Sequence, residues 1–181
     1  MLNIIKKLGS LFKLYQAYSS DESKLSYLRS LGAKIGDETR FIGKPYLGTE
    51  PYLISIGKDC LVSDHVVFHT HDGGVKVLNG AGYFGDNLMD KMARISVGDN
   101  CFIGSCAHLM GGVKIGNNCI VGAMSVVTKD IPDNSVAAGI PARVICTLDD
   151  FYKRNMDRGV FYPTSKLTPQ QRIAFLKREV K

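Results

Sequence analysis

Aliphatic residues recur every six positions along most of this chain. From Val97 the count lands on Ile103, Leu109, Ile115, Val121 and Val127; from Ile35 it lands on Phe41, Leu47 and Leu53. A third run, displaced by three, takes in Ile56, Val62 and Phe68. A period of six matches neither an α-helix nor a simple amphipathic strand, so it predicts a solenoid of short strands and corners. The unit reads aliphatic-Gly-x-x-small-x, as at Ile35-Gly36, Ile56-Gly57, Val97-Gly98, Ile103-Gly104, Ile115-Gly116 and Val121-Gly122. Each unit supplies one strand and one corner, and stacking coil on coil buries a continuous aliphatic column.

The flanks follow a different rhythm. Residues 1–32 read as helical, because Leu2, Ile5, Leu8, Phe12, Tyr15 and Tyr18 recur at spacings of three and four. A second short helix through Leu25, Leu28 and Leu31 ends at Gly32. Lys6, Lys7 and Lys13 on the other face of the first helix allow peripheral contact with a membrane, beside the plainer reading of a cap on the solenoid's open end. The coil body spans 33–146. Phe68 and Val97 are 29 positions apart, which is not a multiple of six, so 72–94 must leave the coil as a long loop. The remaining stretch, 147–181, reads as a helical extension. Leu148–Met156 suits a short helix, and Thr168-Pro169-Gln170-Gln171 marks the start of another with an N-cap, a first-turn proline and a capping-box glutamine.

Composition narrows the setting. The 181 residues are 45% hydrophobic and 22% charged, ordinary for one globular domain with a sizeable core. No apolar run approaches the roughly 20 residues that span a bilayer, and the N-terminus lacks the continuous apolar stretch and small-residue cleavage site of a secretory signal. Five cysteines, an odd number, argue against a disulfide framework. Cys60, Cys101 and Cys119 each precede an aliphatic of the six-residue series by two, in the same phase as Ala107, Val113 and Ser125. They read as small core-edge residues in a reducing, cytoplasmic setting. The net charge of +6 is spread along the chain, and without tryptophan or a basic stripe nothing indicates nucleic acid.

The segments ISIGKDCLVSDHVVFHTHDGG, ISVGDNCFIGS and GGVKIGNNCIVGAMSVVTKDIPDNSVAAGIPARVI together resemble the hexapeptide-repeat acyltransferases, and within them the sugar and capsular-polysaccharide O-acetyltransferases. The resemblance covers about 33–146. It implies an all-β solenoid, a left-handed parallel β-helix with three hexapeptides per turn. It also implies a homotrimer with sites between neighbouring prisms, acetyl-CoA as co-substrate, a sugar or polysaccharide-precursor acceptor and no resident metal.

Three of the four histidines cluster, at His65, His69 and His71. Moving an acyl group from a thioester to a hydroxyl needs a base that works near neutral pH, which imidazole supplies. His71 lies in Thr70-His71-Asp72-Gly73-Gly74, where the coil opens into the long loop. The resemblance makes His71 the general base for direct transfer within a ternary complex. Asp72 either orients His71 or starts the turn before Gly73-Gly74; with His69 it is a candidate for the acceptor pocket, His69 being otherwise an ordinary structural histidine. His65 reads as a wall residue, and His108 either brings a second imidazole near the cofactor groove or does nothing. By the same resemblance Ser105 and Ala123 would contact the pantetheine arm, Thr128 would lie further along the cofactor, and Arg143 with Lys129 would face the nucleotide phosphates. A basic residue three positions after that arginine occurs in some relatives; here it is Cys146. The alternatives left open are another small acceptor (serine, an amino sugar or an antibiotic), a zinc lyase of the γ-carbonic-anhydrase kind, and a non-catalytic scaffold.

Overall fold

The structure, a computed structural model, describes residues 20–180. The stretch with Lys6, Lys7 and Lys13, and the membrane contact read from it, lies outside the described residues. The first described element is α1 (Asp21–Ser30). Ser20 caps it by accepting the Ser23 N–H, Asp21 and Glu22 sit in its first turn, and Gly32 follows its end at φ +97°. It packs on the first coil through buried Leu28, and Lys24 Nζ donates to Phe41 O at 2.6 Å.

Short strands then fall into three parallel sheets. One holds β1 (Lys34–Ile35), β3 (Ile54–Ile56), β6 (Ile95–Val97) and β9 (Lys114–Ile115). The second holds β2 (Arg40–Phe41), β4 (Leu61–Val62), β7 (Phe102–Ile103), β10 (Ile120–Val121), β12 (Ser135–Gly139) and β13 (Ala142–Thr147). The third holds β5 (Val67–His69), β8 (His108–Met110) and β11 (Val126–Val127). The chain visits the sheets in rotation, so each strand pairs with the strand one coil later. Only β13 runs antiparallel, against β12.

The register explains the period of six. Ile35, Ile56, Val97 and Ile115 stack in the first sheet; Phe41, Val62, Ile103 and Val121 in the second; Phe68, Leu109 and Val127 in the third. All of these are buried. Leu53 departs from the expected pattern. It closes a single 3-10 turn, Pro51–Leu53, and Ile54 takes the buried place. That inserted turn lengthens the coil by three residues, which is why the count shifts phase there.

Close packing of the coils accounts for the glycine after each aliphatic. A Cβ on Gly57 would sit 2.6 Å from the Gly98 carbonyl carbon, and one on Gly98 would sit 2.7 Å from that of Gly116. The following corner passes through left-handed backbone at Asp59, Asn100, Asn118 and Asn134, residue types that tolerate it best after glycine. There the side chains form a ladder, with Asn100 Nδ2 donating to Asn118 Oδ1 and Asn118 Nδ2 to Asn134 Oδ1, both at 2.9 Å. Cys60, Cys101 and Cys119 stack beside it, each donating its S–H to a carbonyl of the next coil at 3.1 Å. Burial pushes the Cys119 thiol up.

The excursion over 72–94, expected as a long loop, has local structure of its own. It contains α2 (Val75–Gly80), and its neck is zipped by Asp72 N–H to Lys91 O and Ala93 N–H to Thr70 O, both 2.9 Å. Asn79 ties the returning segment down by bonding both main-chain groups of Met89. At the other end, α3 (Leu148–Asp157) packs on β12 and β13, and α4 (Pro169–Glu179) starts with the full capping box of Thr168 and Gln171. Among the described residues no helix is long and apolar enough to cross a membrane.

Candidate active site

Coil stacking brings three separate stretches of sequence to His71. The chain leaves β5 through buried Thr70, and His71 forms an isolated antiparallel bridge with Met92 at the neck of the excursion. One coil earlier, Gly48-Thr49-Glu50 runs beneath this point. Gly48 has φ +69°, and a Cβ there would lie 2.7 Å from Thr70 Oγ1, so only glycine lets the two turns close this tightly.

The result is a carboxylate–imidazole pair. Glu50 Oε2 lies 3.0 Å from His71 Nδ1 and accepts from Thr70 Oγ1 at 2.7 Å, while Oε1 accepts from the Thr49 hydroxyl. The Glu50 side chain is 10% exposed and that of His71 44%. Hydrogen bonds from Thr49, Thr70 and His71 hold the Glu50 carboxyl down to about 2. An ionised carboxylate only accepts, so the proton of neutral His71 must sit on Nδ1, leaving a bare lone pair on Nε2. That is the tautomer a general base requires.

Asp72 does not orient His71. Its Oδ1 accepts the Gly74 N–H at 2.8 Å, which is the turn role, and its Oδ2 pairs with Lys91 Nζ at 2.7 Å. Glu50 performs the orienting, and sequence reading missed it. Its only linear signal is the offset of 21 residues between stacked positions, seen in the bridge of Tyr46 with Val67 and set by the inserted 3-10 turn.

A cavity of about 80 Å³ opens beside His71, walled by His69, Thr70, Asp72, Lys91, Met92, Ala93, Met110 and Gly111. His69 thus lies at the site, with its Nε2 2.8 Å from His108 Nδ1. Burial, followed by the proximity of His108 and His71, lowers the His69 pKa and keeps the ring neutral. His65 is not a wall residue. It turns a corner at φ +56° with its side chain 75% exposed and Nδ1 2.8 Å from Asp64.

The residues expected along the cofactor fall in two groups. Ser105 and Ala123 follow β7 and β10 at one corner, one coil apart, where Met124 N–H donates to Ser105 O and Ser105 Oγ meets Ser63 Oγ at 2.6 Å. Arg143 joins this side through its pairing with Ala138, and its side chain is exposed. Thr128 and Lys129 follow β11, also exposed, on the opposite edge of the third sheet. His71 follows β5 on that same edge.

Similarity to known proteins agrees with this architecture. Residues 94–129 match the family described as bacterial transferase hexapeptide (six repeats). The chain is 37% identical over 156 residues to Protein CapG of Staphylococcus aureus, covering 85% of this chain and 87% of that protein. A stretch of 56 residues is 54% identical to the galactoside O-acetyltransferase of Escherichia coli (strain K12), covering 31% of this chain and 28% of that enzyme. The solved maltose O-acetyltransferase of Clostridium difficile 630 aligns over 80% of this chain and 84% of its own, with a TM-score of 0.54 and 26% identity. The three-sheet coil and these relatives lead to one conclusion: the chain belongs to the hexapeptide-repeat acyltransferase family.

Proposed function

We propose that this protein transfers an acetyl group from acetyl-CoA to a hydroxyl of a sugar or surface-polysaccharide precursor. The observation that carries this reading is the contact of Glu50 Oε2 with His71 Nδ1 at 3.0 Å, at the mouth of a small cavity. His71 Nε2 takes the proton of the acceptor hydroxyl as its oxygen attacks the thioester carbonyl. The C–S bond then breaks, and the imidazolium returns the proton to the departing thiolate. Glu50 stabilises the transient cation and holds the ring in place. The two similar enzymes named as galactoside and maltose O-acetyltransferases support a sugar acceptor.

For the co-substrate, Ser105 and Ala123 would border the pantetheine arm, with Thr128 further along it. Arg143 and Lys129 would meet the phosphates through charge-assisted hydrogen bonds. In one chain the Ser105 corner and the His71 edge lie on opposite edges of a sheet. Likeness to the hexapeptide-repeat acyltransferases supports a left-handed coil, and the opposed edges support a homotrimer in which one prism supplies the base and its neighbour the cofactor corner. The buried thiols support a reducing, cytoplasmic setting.

The His71→Ala variant tests the assignment. Transfer to the acceptor, read by mass, is expected to fall by about 10²–10⁴-fold, with CoA binding retained in calorimetry. Full activity in that variant would remove His71 from the mechanism, and wild-type protein that fails to bind CoA would sink the acetyltransferase reading.

A further inference from the structure

We propose that His69, held in place by His108, is a second acceptor contact, so that the preferred acceptor carries a free hydroxyl on the carbon next to the one acetylated. The inference rests on the acetyl-transfer reading above and deepens it to a substrate class, the vicinal diol.

The geometry of the two rings comes first. His69 pairs with Met110 and His108 with Val67, so the side chains meet diagonally on the outer face of the third sheet. Their planes lie within 17°, their centroids are 5.1 Å apart, and Nε2 of His69 is 2.8 Å from Nδ1 of His108. A face-to-face stack does not bring two ring nitrogens to hydrogen-bonding distance at that centroid separation. An in-plane N–H···N bond does, since the separation equals the bond plus one centre-to-nitrogen radius on each side. The rings therefore lie edge to edge, joined by one proton.

That shared proton constrains the outer nitrogens. If His69 donates, its Nδ1 is a bare acceptor and His108 Nε2 carries a hydrogen; if His108 donates, both are reversed. Among the described residues neither outer nitrogen has a hydrogen-bond partner. His69 is thus an oriented, neutral imidazole with one polar atom unused.

Its position gives the ring a target. His69 and His71 alternate around buried Thr70 and border the same cavity, which Met92 and Met110 close on the apolar side. At about 80 Å³ the space is large enough for more than one water and admits a hydroxyl-bearing edge of an acceptor. The charges at its edge, Asp72 and Lys91, neutralise each other at 2.7 Å. A neutral group that can both donate and accept fits this lining, and a hydroxyl does both. With the reacting hydroxyl on His71 Nε2, its neighbour falls to His69.

The test compares a pyranoside acceptor with its analogue deoxygenated next to the acetylated position, using wild-type protein and acetyl-CoA. The wild type is expected to lose about tenfold or more in kcat/KM on the deoxy analogue, because His69 would be left unpaired. His69→Phe should treat the two acceptors alike. His108→Phe should raise KM for the diol with kcat held, and His108→Asn, whose amide oxygen can replace Nδ1, should recover part of that loss. Equal use of both acceptors by the wild type would overturn the proposal while leaving acetyl transfer intact, and it requires no variant to fold. Discrimination retained in His69→Phe would overturn it as well. Wild-type protein that acetylates no hydroxyl at all would bring down the underlying reading, and the inference with it.

Discussion

Glu50 concentrates the chemistry of the site in one carboxylate. Replacing it with glutamine substitutes an amide that can donate to His71 Nδ1, which moves the ring proton to Nε2 and occupies the lone pair needed for base catalysis. Glu50→Gln is therefore expected to lower kcat by about 10²–10⁴-fold with a small change in KM. The same residue leaves a mark on acid stability. Its carboxyl ionises at about 2 in the folded protein against an ordinary 4.5, so it favours the folded state fully above the unfolded value. That contribution is lost as pH falls from about 4.5 towards 2, and the gap in melting temperature between wild type and Glu50→Gln should close across this window. A gap that stays constant with pH would contradict the shift. None of this was legible in the linear sequence. His71 stands out in the sequence because it lies where the count of six fails, but the carboxylate beside it is fixed by coil stacking, and stacking depends on an inserted turn that the aliphatic series conceals.

At the scale of elements, the repeat was readable because each of its parts answers a local demand. The aliphatic fills the column, the glycine admits the next coil, and Asp or Asn turns the corner in left-handed backbone. Capping was readable for the same reason: Thr168 and Gln171 satisfy each other's main-chain groups within one turn. The excursion was not, since α2 takes its place from contacts such as Asn79 with Met89 that follow no period. The glycine column gives a direct check. Gly98→Ala forces a methyl against the backbone of the next coil and should cost about 1–3 kcal/mol in denaturant unfolding. Gly80→Ala, in α2 with nothing within 4 Å of the added carbon, should be neutral or stabilise by up to about 1 kcal/mol. Equal effects would mean that the glycines serve flexibility rather than approach.

For the whole molecule, the proposed trimer is the point to test. If one prism supplies His71 and its neighbour supplies Arg143, two inactive variants should rescue each other. Mixing His71→Ala and Arg143→Ala chains under conditions of subunit exchange should restore about a quarter of wild-type activity, the chance that a given interface draws the intact residue from each side. No recovery from freely exchanging subunits would place the complete site within one chain.

The antiparallel strand β13 has a further consequence. A stack of parallel coils has no natural length, because each new coil offers the next an identical set of unpaired main-chain groups. By reversing direction and carrying α3 onto β12 and β13, the chain ends that offer at one end, while α1 packs on β1 and β2 at the other. Repeating sequence of this kind is the raw material of a fibre, and these two lids give it a finite length.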